Sequence, residues 1–474
     1  KQALNACVLV DKKCSQLIID FLNFKHNCGT AVERKFYKTE FNDLENNKKG
    51  CIVKFITRLL CCVPIMFMTK EDWTVLHQTD GLKNGAMYFN VSKKDFFDNL
   101  PKDSENIKKY ITYDEMRIAA LIGRYTNIFP INNGSRDYAG EQMGTDYYED
   151  VEVGVASLTG SRFERKGKME YQDVIIDAEN NTVENGYGLK KNYSTDQHTF
   201  LINIWEKFWK TTFPTYEEAQ KLSNEYVPLY LHNNYSNKYG HKENDPIIFF
   251  NTCVQKKRIG LVVSLQLNKI ISKYKNTDDK VYISVAGLGS GEWAILPGPD
   301  QNTLYAPKDM PMGTFIECLQ IQVYQNLLEK LLQEDAQALD RITDIDYAFF
   351  GFKLNDPKHT IAQYDIIETH FKNVKNVNKD DKNLHRIYTI TIGQKDINFH
   401  LSQRTAFAKL KNEDVGKKIE AMYAADSNAF PGNEAWVGKV RATGEASMIS
   451  STAGVGALLN PKINTSLLRN IQMY

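Results

Sequence analysis

The segment Ala424-Ala-Asp-Ser-Asn-Ala-Phe-Pro-Gly-Asn-Glu434 gathers two carboxylates and two side-chain amides around a Pro-Gly turn. Residues 419–425, Ile-Glu-Ala-Met-Tyr-Ala-Ala, read as a short buried strand, so Asp426 falls where the strand ends and the chain bends outward. Ligands of open α/β sheets collect at such strand ends. Pro431 and Gly432 would turn the backbone sharply and bring Glu434 back beside Asp426, with Asn428 and Asn433 as hydrogen-bonding groups. Paired carboxylates suit general acid–base work, one moving protons while the other faces developing charge. Carboxylates also accept Mg²⁺, but acid–base use is the simpler reading, and no metal is expected. The same residue types also build ordinary Asx-rich turns.

A second motif is Val281-Tyr-Ile-Ser-Val-Ala-Gly-Leu-Gly-Ser-Gly-Glu-Trp293, in which a buried strand runs straight into Gly287, Gly289 and Gly291. Without Cβ atoms the backbone amides can approach a ligand closely, as phosphate cradles require. The spacing is not that of a dinucleotide fingerprint, Pro297 and Pro299 follow where a helix would be needed, and the Lys-Ser/Thr pair of a Walker loop is missing. A tight turn would have the same composition. In a third cluster, Asn132, Asn133 and Gly134 follow a short strand and could read a base or ribose, with Arg136 pairing to phosphate. Nearby Arg162, Glu164 and Glu170 fit an ordinary ion-pair network as well. Glu445 offers a third carboxylate ahead of the small-residue run Ile449-Ser-Ser-Thr-Ala-Gly-Val-Gly456, which is either a second phosphate wall or a plain surface loop.

The elements that must position these groups are those of an α/β protein. Short strands are expected at 127–131, 151–156, 171–176, 281–286, 345–352, 386–392 and 419–425, with long helices at 252–274 and 315–339. Alternation of this kind implies a layered α/β sheet. Residues 1–105 read as a helical N-terminal region, with helical spacing at 8–24 and 52–66, and 106–474 as the ligand-binding and catalytic domain. Cys7, Cys14, Cys28, Cys51, Cys61 and Cys62 lie in that first region without zinc-like spacing, so buried free thiols are expected.

The 474 residues, 42% of them hydrophobic, can bury one large core or two smaller ones. A net charge of +1 argues against a nucleic acid as the main partner. Apolar runs such as 59–68 are too short to span a bilayer. No H-E-x-x-H or G-x-S-x-G occurs, which leaves proteolysis and serine-hydrolase chemistry little support. The first residue is a lysine, so a piece of a longer protein is expected.

From about residue 110 onward the ordered set Tyr113-Asp-Glu-Met116, Ile131-Asn-Asn-Gly-Ser-Arg136, Arg162-Phe-Glu164, Met169-Glu-Tyr171, Asn185-Gly-Tyr-Gly188, the 287–293 loop, 426–434 and Asn460-Pro-Lys-Ile-Asn464 resembles the macrodomain-like ADP-ribosylhydrolases related to the Legionella effector MavL. The resemblance implies a three-layer fold, a mixed sheet between helices, that binds ADP-ribose or an ADP-ribosylated protein in a crevice. It implies removal of ADP-ribose from a modified side chain, arginine by preference, with no cofactor. It also implies a secreted effector acting in a host cytoplasm. Asp426 and Glu434 carry over as catalytic candidates, with Glu445 as a third. Gly287, Gly289, Gly291, Trp293, Asn132, Asn133, Gly134, Arg136, Asn428 and Asn433 are the ligand-binding candidates. The chain departs from the family pattern at Asn133, where an acidic residue is common, at Ala425, where Trp is common, and at Glu445, where Asp is common. A non-catalytic reader of ADP-ribosylated partners is the alternative from another class, and an ADP-ribosyltransferase ranks last for want of a paired-glutamate motif.

Overall fold

The computed structural model describes residues 2–64, 107–108, 110–128, 152–161, 174–177, 194–222, 226–231, 248–290, 304–306, 310–335, 337–348, 417–425, 458–461 and 463–474. In chain order the elements are α1 (Gln2–Asn5), β1 (Cys7–Val10), α2 (Cys14–Asn27), α3 (Ala31–Glu40), α4 (Lys48–Cys61), β2 (Val63–Pro64), β3 (Tyr110–Ile111), α5 (Tyr113–Ala119), β4 (Gly123–Ile128) and β5 (Val153–Thr159). They continue with β6 (Ile175–Asp177), α6 (Thr195–Trp209), α7 (Tyr216–Ala219), β7 (Tyr226–Leu231), β8 (Ile248–Asn251), α8 (Thr252–Tyr274) and β9 (Val281–Ala286). The last are β10 (Leu304–Ala306), β11 (Met310–Pro311), α9 (Met312–Glu334), β12 (Ile342–Ala348), β13 (Lys418–Ala425) and β14 (Ile471–Met473).

Seven strands form a mixed sheet in the order β12-β9-β13-β5-β4-β1-β14. β12, β9, β13 and β5 are mutually parallel, β4 runs against β5 and β1, and β14 is parallel to β1. Every residue of β1 and of β5 is buried. Successive strand residues face opposite sides, so an unbroken buried run means that both faces are covered. One of those covers is α8, which packs on β4 and β5 and lies against α9, with the Tyr324 hydroxyl donating to Gln266 Oε1 at 3.0 Å between the two helices. Its Asn251 cap accepts the Val254 N–H at 3.0 Å, and its 23 residues extend about 34 Å, enough to run the length of the sheet.

A second, antiparallel sheet has the order β11-β10-β7-β8-β6. β8 passes directly into α8 and β11 directly into α9, so both long helices start from this sheet. Pro311 precedes the first turn of α9, where a missing N–H costs no helical bond. No helix among the described residues is long and apolar enough to cross a membrane.

The N-terminal region is not helical throughout. The apolar run Cys7-Val-Leu-Val10 is a strand seated between β4 and β14, and the helix expected at 8–24 begins only at Cys14. Buried ion pairs also cross residue 105: Lys25 Nζ, 2.6 Å from Glu33, lies 3.4 Å from Asp114, and Arg58 Nε lies 2.6 Å from Glu115. Glu33 and Glu115 double as helix-start acceptors, taking the backbone N–H of Thr30 at 2.9 Å and of Thr112 at 2.7 Å. Asp114 and Glu115 of the Tyr113–Met116 motif are therefore packing residues here. All eight cysteines are free, with Cys7, Cys14, Cys51 and Cys318 buried. Burial drives the Cys14 thiol far above its ordinary range.

Burial by itself would raise the Glu115 carboxyl, but the Arg58 charge, with hydrogen bonds from Arg58, Tyr37 and Thr112, holds it below the usual value. A depressed carboxylate stabilises the fold above its unfolded pKa, about 4.3, and loses that contribution as the pH falls through the lower folded value. Glu115→Gln, which strands Arg58 without its counter-charge, is expected to cost about 3–5 kcal/mol at neutral pH. Urea denaturation at pH 7 and pH 4 checks this: the variant's deficit should be smaller at the lower pH.

Candidate functional site

The parallel set β5, β13, β9 and β12 ends at Thr159, Ala425, Ala286 and Ala348, all at one edge of the sheet. That edge is where a crevice opens in an α/β sheet. Two short backbone segments meet there. A Cβ on Gly160 would lie 2.4 Å from the Gly289 nitrogen, and one on Gly289 would lie 2.5 Å from the Ser161 carbonyl oxygen. Gly289 also has φ +76°, in the left-handed region that favours glycine. The turn after β5 and the turn after β9 thus touch main chain to main chain, over the end of the intervening β13.

Both long helices reach this junction, α8 with its first turn and α9 with its second and third. From α8, the fully buried Gln255 places Oε1 2.6 Å from Ser161 Oγ, which donates to it. From α9, Glu317 Oε1 accepts the Ser290 hydroxyl at 2.8 Å, while Gln320 accepts the Leu288 N–H and donates to the Ala286 carbonyl, each at 2.9 Å. Helix amino ends add positive potential, which favours an anionic ligand. At the start of α8, Gln255 Nε2 and the amide nitrogen of the cap, Asn251 Nδ2, are buried without a hydrogen-bond partner among the described residues.

Of the residues expected to form the site, Gly287 and Gly289 lie at this junction. Asp426, Asn428, Asn433, Glu434 and Glu445 are outside the described residues, as are Gly291, Trp293, Asn132, Asn133, Gly134 and Arg136. Two strand ends nevertheless have a known direction. β13 reaches the crevice edge at Ala425, immediately before Asp426, whereas the antiparallel β4 leaves at Ile128, beside Val153 at the opposite edge.

Sequence reasoning passed over Gln255, Glu317 and Gln320, whose signal is a polar residue at a core-facing position of a long helix. It also passed over Glu420, a buried acid within β13. The Glu420 carboxylate receives Lys273 Nζ and the Tyr274 hydroxyl at 2.7 Å and the Tyr125 hydroxyl at 2.9 Å. Burial, then the nearby carboxylate, push both phenols well above their ordinary range, so they stay protonated donors. Its oxygens occupy the space where a Cβ on Gly154 would fall, 2.1 Å away. Glu420 precedes Ala425 by five residues, about 17 Å along a strand, so this cluster braces the far end of the sheet rather than the crevice.

A family model described as ADP-ribosylhydrolase MavL-like matches residues 1–473. The match therefore includes the N-terminal region, beyond the span from residue 110 expected from the motifs. Two curated proteins of Drosophila melanogaster are similar over almost all of the chain. ADP-ribosylarginine hydrolase CG2909 is 24% identical over 469 residues, 98% of this chain and 77% of the relative. ADP-ribosylarginine hydrolase CG3568 is 24% identical over 477 residues, 100% of this chain and 78% of the relative.

Gly289→Ala is expected to destabilise the protein by about 1–3 kcal/mol, since the new methyl meets the Ser161 carbonyl and the left-handed backbone disfavours a side chain. Chemical denaturation of the variant beside the native protein measures it.

Proposed function

The chain belongs to the MavL-like ADP-ribosylhydrolase family, and we propose that the bond it hydrolyses joins the anomeric carbon of ADP-ribose to a guanidinium nitrogen of arginine. The observation that carries the reading is strand polarity: β13 ends one residue before Asp426, at the same edge where the Gly287–Gly289 turn meets Gly160 and Ser161. The names of the two Drosophila relatives, both ADP-ribosylarginine hydrolases, support arginine as the modified residue.

In this reading the diphosphate of ADP-ribose takes backbone N–H groups of the glycine loop, Gly287, Gly289 and Gly291, close to the amino end of α8. Trp293, Asn428 and Asn433 complete the ribose side. As the C–N bond breaks, the anomeric carbon becomes oxocarbenium-like. One carboxylate, Asp426, faces that positive charge, and Glu434 takes a proton from the attacking water and passes it to the departing guanidine nitrogen, which leaves as the guanidinium of arginine. Water adds its oxygen to the anomeric carbon, and the products are free ADP-ribose and unmodified arginine. Glu445 is the third acid candidate. Asn132, Asn133, Gly134 and Arg136 follow a strand that leaves by the opposite edge, so the proposal rests on the segments after β9 and β13. The fold is read as macrodomain-like on the same grounds.

Arginine-ADP-ribosylated protein incubated with the native chain should release ADP-ribose, followed by mass spectrometry. Asp426→Ala and Glu434→Ala should each lower the rate at least about a hundredfold while calorimetry still detects ADP-ribose. Binding without release by the native protein would instead identify a reader, and full activity of either variant would remove that residue from the mechanism.

A further inference from the structure

We infer that Gln320 is a positioning residue that holds the glycine loop in its ligand-ready shape, an assignment that rests on reading that loop as an ADP-ribose contact. Its carboxamide is fully buried on α9 and bonds two backbone groups that bracket Gly287, the Ala286 carbonyl and the Leu288 N–H. β9 pairs with β13 only as far as Ser284, opposite Ala421, so on that side the chain has left the ladder before it reaches these groups. A planar carboxamide carries a donor and an acceptor side by side, and it stands in for the neighbouring strand.

The loop is held from other directions as well. Glu317, three residues earlier on the same helix face, takes the Ser290 hydroxyl. The Gly160–Ser161 turn braces Gly289 from the other side, and that turn is in turn held by Gln255 of α8. The arrangement is two buried glutamines, one on each long helix, fixing the two turns that meet over β13. Of the two, Gln320 acts directly on the backbone, so it sets where the loop's N–H groups point. Misaiming those groups weakens binding of ground state and transition state alike, which raises KM more than it lowers kcat.

Gln320→Glu keeps the acceptor for Leu288 but sets a carboxylate oxygen against the Ala286 carbonyl, whereas Gln320→Met keeps the volume and loses both bonds. Calorimetry gives the Kd for ADP-ribose, and turnover of arginine-ADP-ribosylated protein gives KM and kcat. Each variant's melting shift with ADP-ribose is read against its own ligand-free Tm, so lower stability alone does not move the result. In both variants Kd and KM should rise about tenfold or more with kcat within about threefold. A Kd and KM within about twofold of native in either variant overturns the assignment, as does the absence of a melting transition in both, which would make Gln320 a folding residue. Gly289→Ala, run alongside, separates the two claims. If it also leaves Kd unchanged, the loop is not a ligand contact and the site reading fails. If it weakens binding while the Gln320 variants do not, the positioning assignment alone fails.

Discussion

A carboxylate taken out of water must be given a cation or lose its charge, and Glu33, Asp114, Glu115 and Glu420 are buried here with cations in place. Glu33 and Asp114 share Lys25, Glu115 holds Arg58, and Glu420 holds Lys273. The first three acids draw α2, α3, α4 and α5 together, joining residues 25–58 to residues 114 and 115. The fourth joins β13 to the end of α8 and to β4, through Lys273, Tyr274 and Tyr125. Each of these bonds is worth little in net stability but is costly to break, so together they permit one arrangement of helices over the sheet. With the far end of β13 and α8 fastened in that way, the near ends are delivered to the crevice in a defined register.

The parts of the fold that follow from local pattern were legible. β9 and α8 occupy 281–286 and 252–274 as read from the sequence, because a clean apolar run bounded by glycine and an amphipathic stretch capped by Asn251 each have one good local solution. β13 and β5 were found within a few residues. β1 was not, since four apolar residues next to a helix look like its first turn; what makes them a strand is pairing with residues 123–125 and 471–473. The expected strand at 386–392 lies outside the described residues.

At the candidate site, local pattern pointed to the glycine turn after β9 and to no residue of the two long helices. Glycines at a strand exit announce a close approach of something, and at Gly289 the thing approached is the Ser161 carbonyl. Asp114 and Glu115 stood in the sequence only as part of a family-like segment, because their partners, Lys25 and Arg58, are distant in sequence. Gln255 and Gln320 drew no reading from the sequence. A glutamine carries no charge and no ring, so only its burial beside the turns at 160–161 and 286–290 reveals what it holds.

The meeting of Gly154 and Glu420 bears on how this family can vary over evolutionary time. Residue 154 lacks a side chain because the neighbouring strand's carboxylate already fills the space. The two positions are therefore one structural character written at two distant places in the gene. A lineage that acquires any side chain at 154 must first shorten residue 420, and one that shortens 420 releases 154 to drift and leaves Lys273, Tyr125 and Tyr274 to find another acceptor. Across homologous sequences the pair should be gained and lost together, whatever becomes of the substrate.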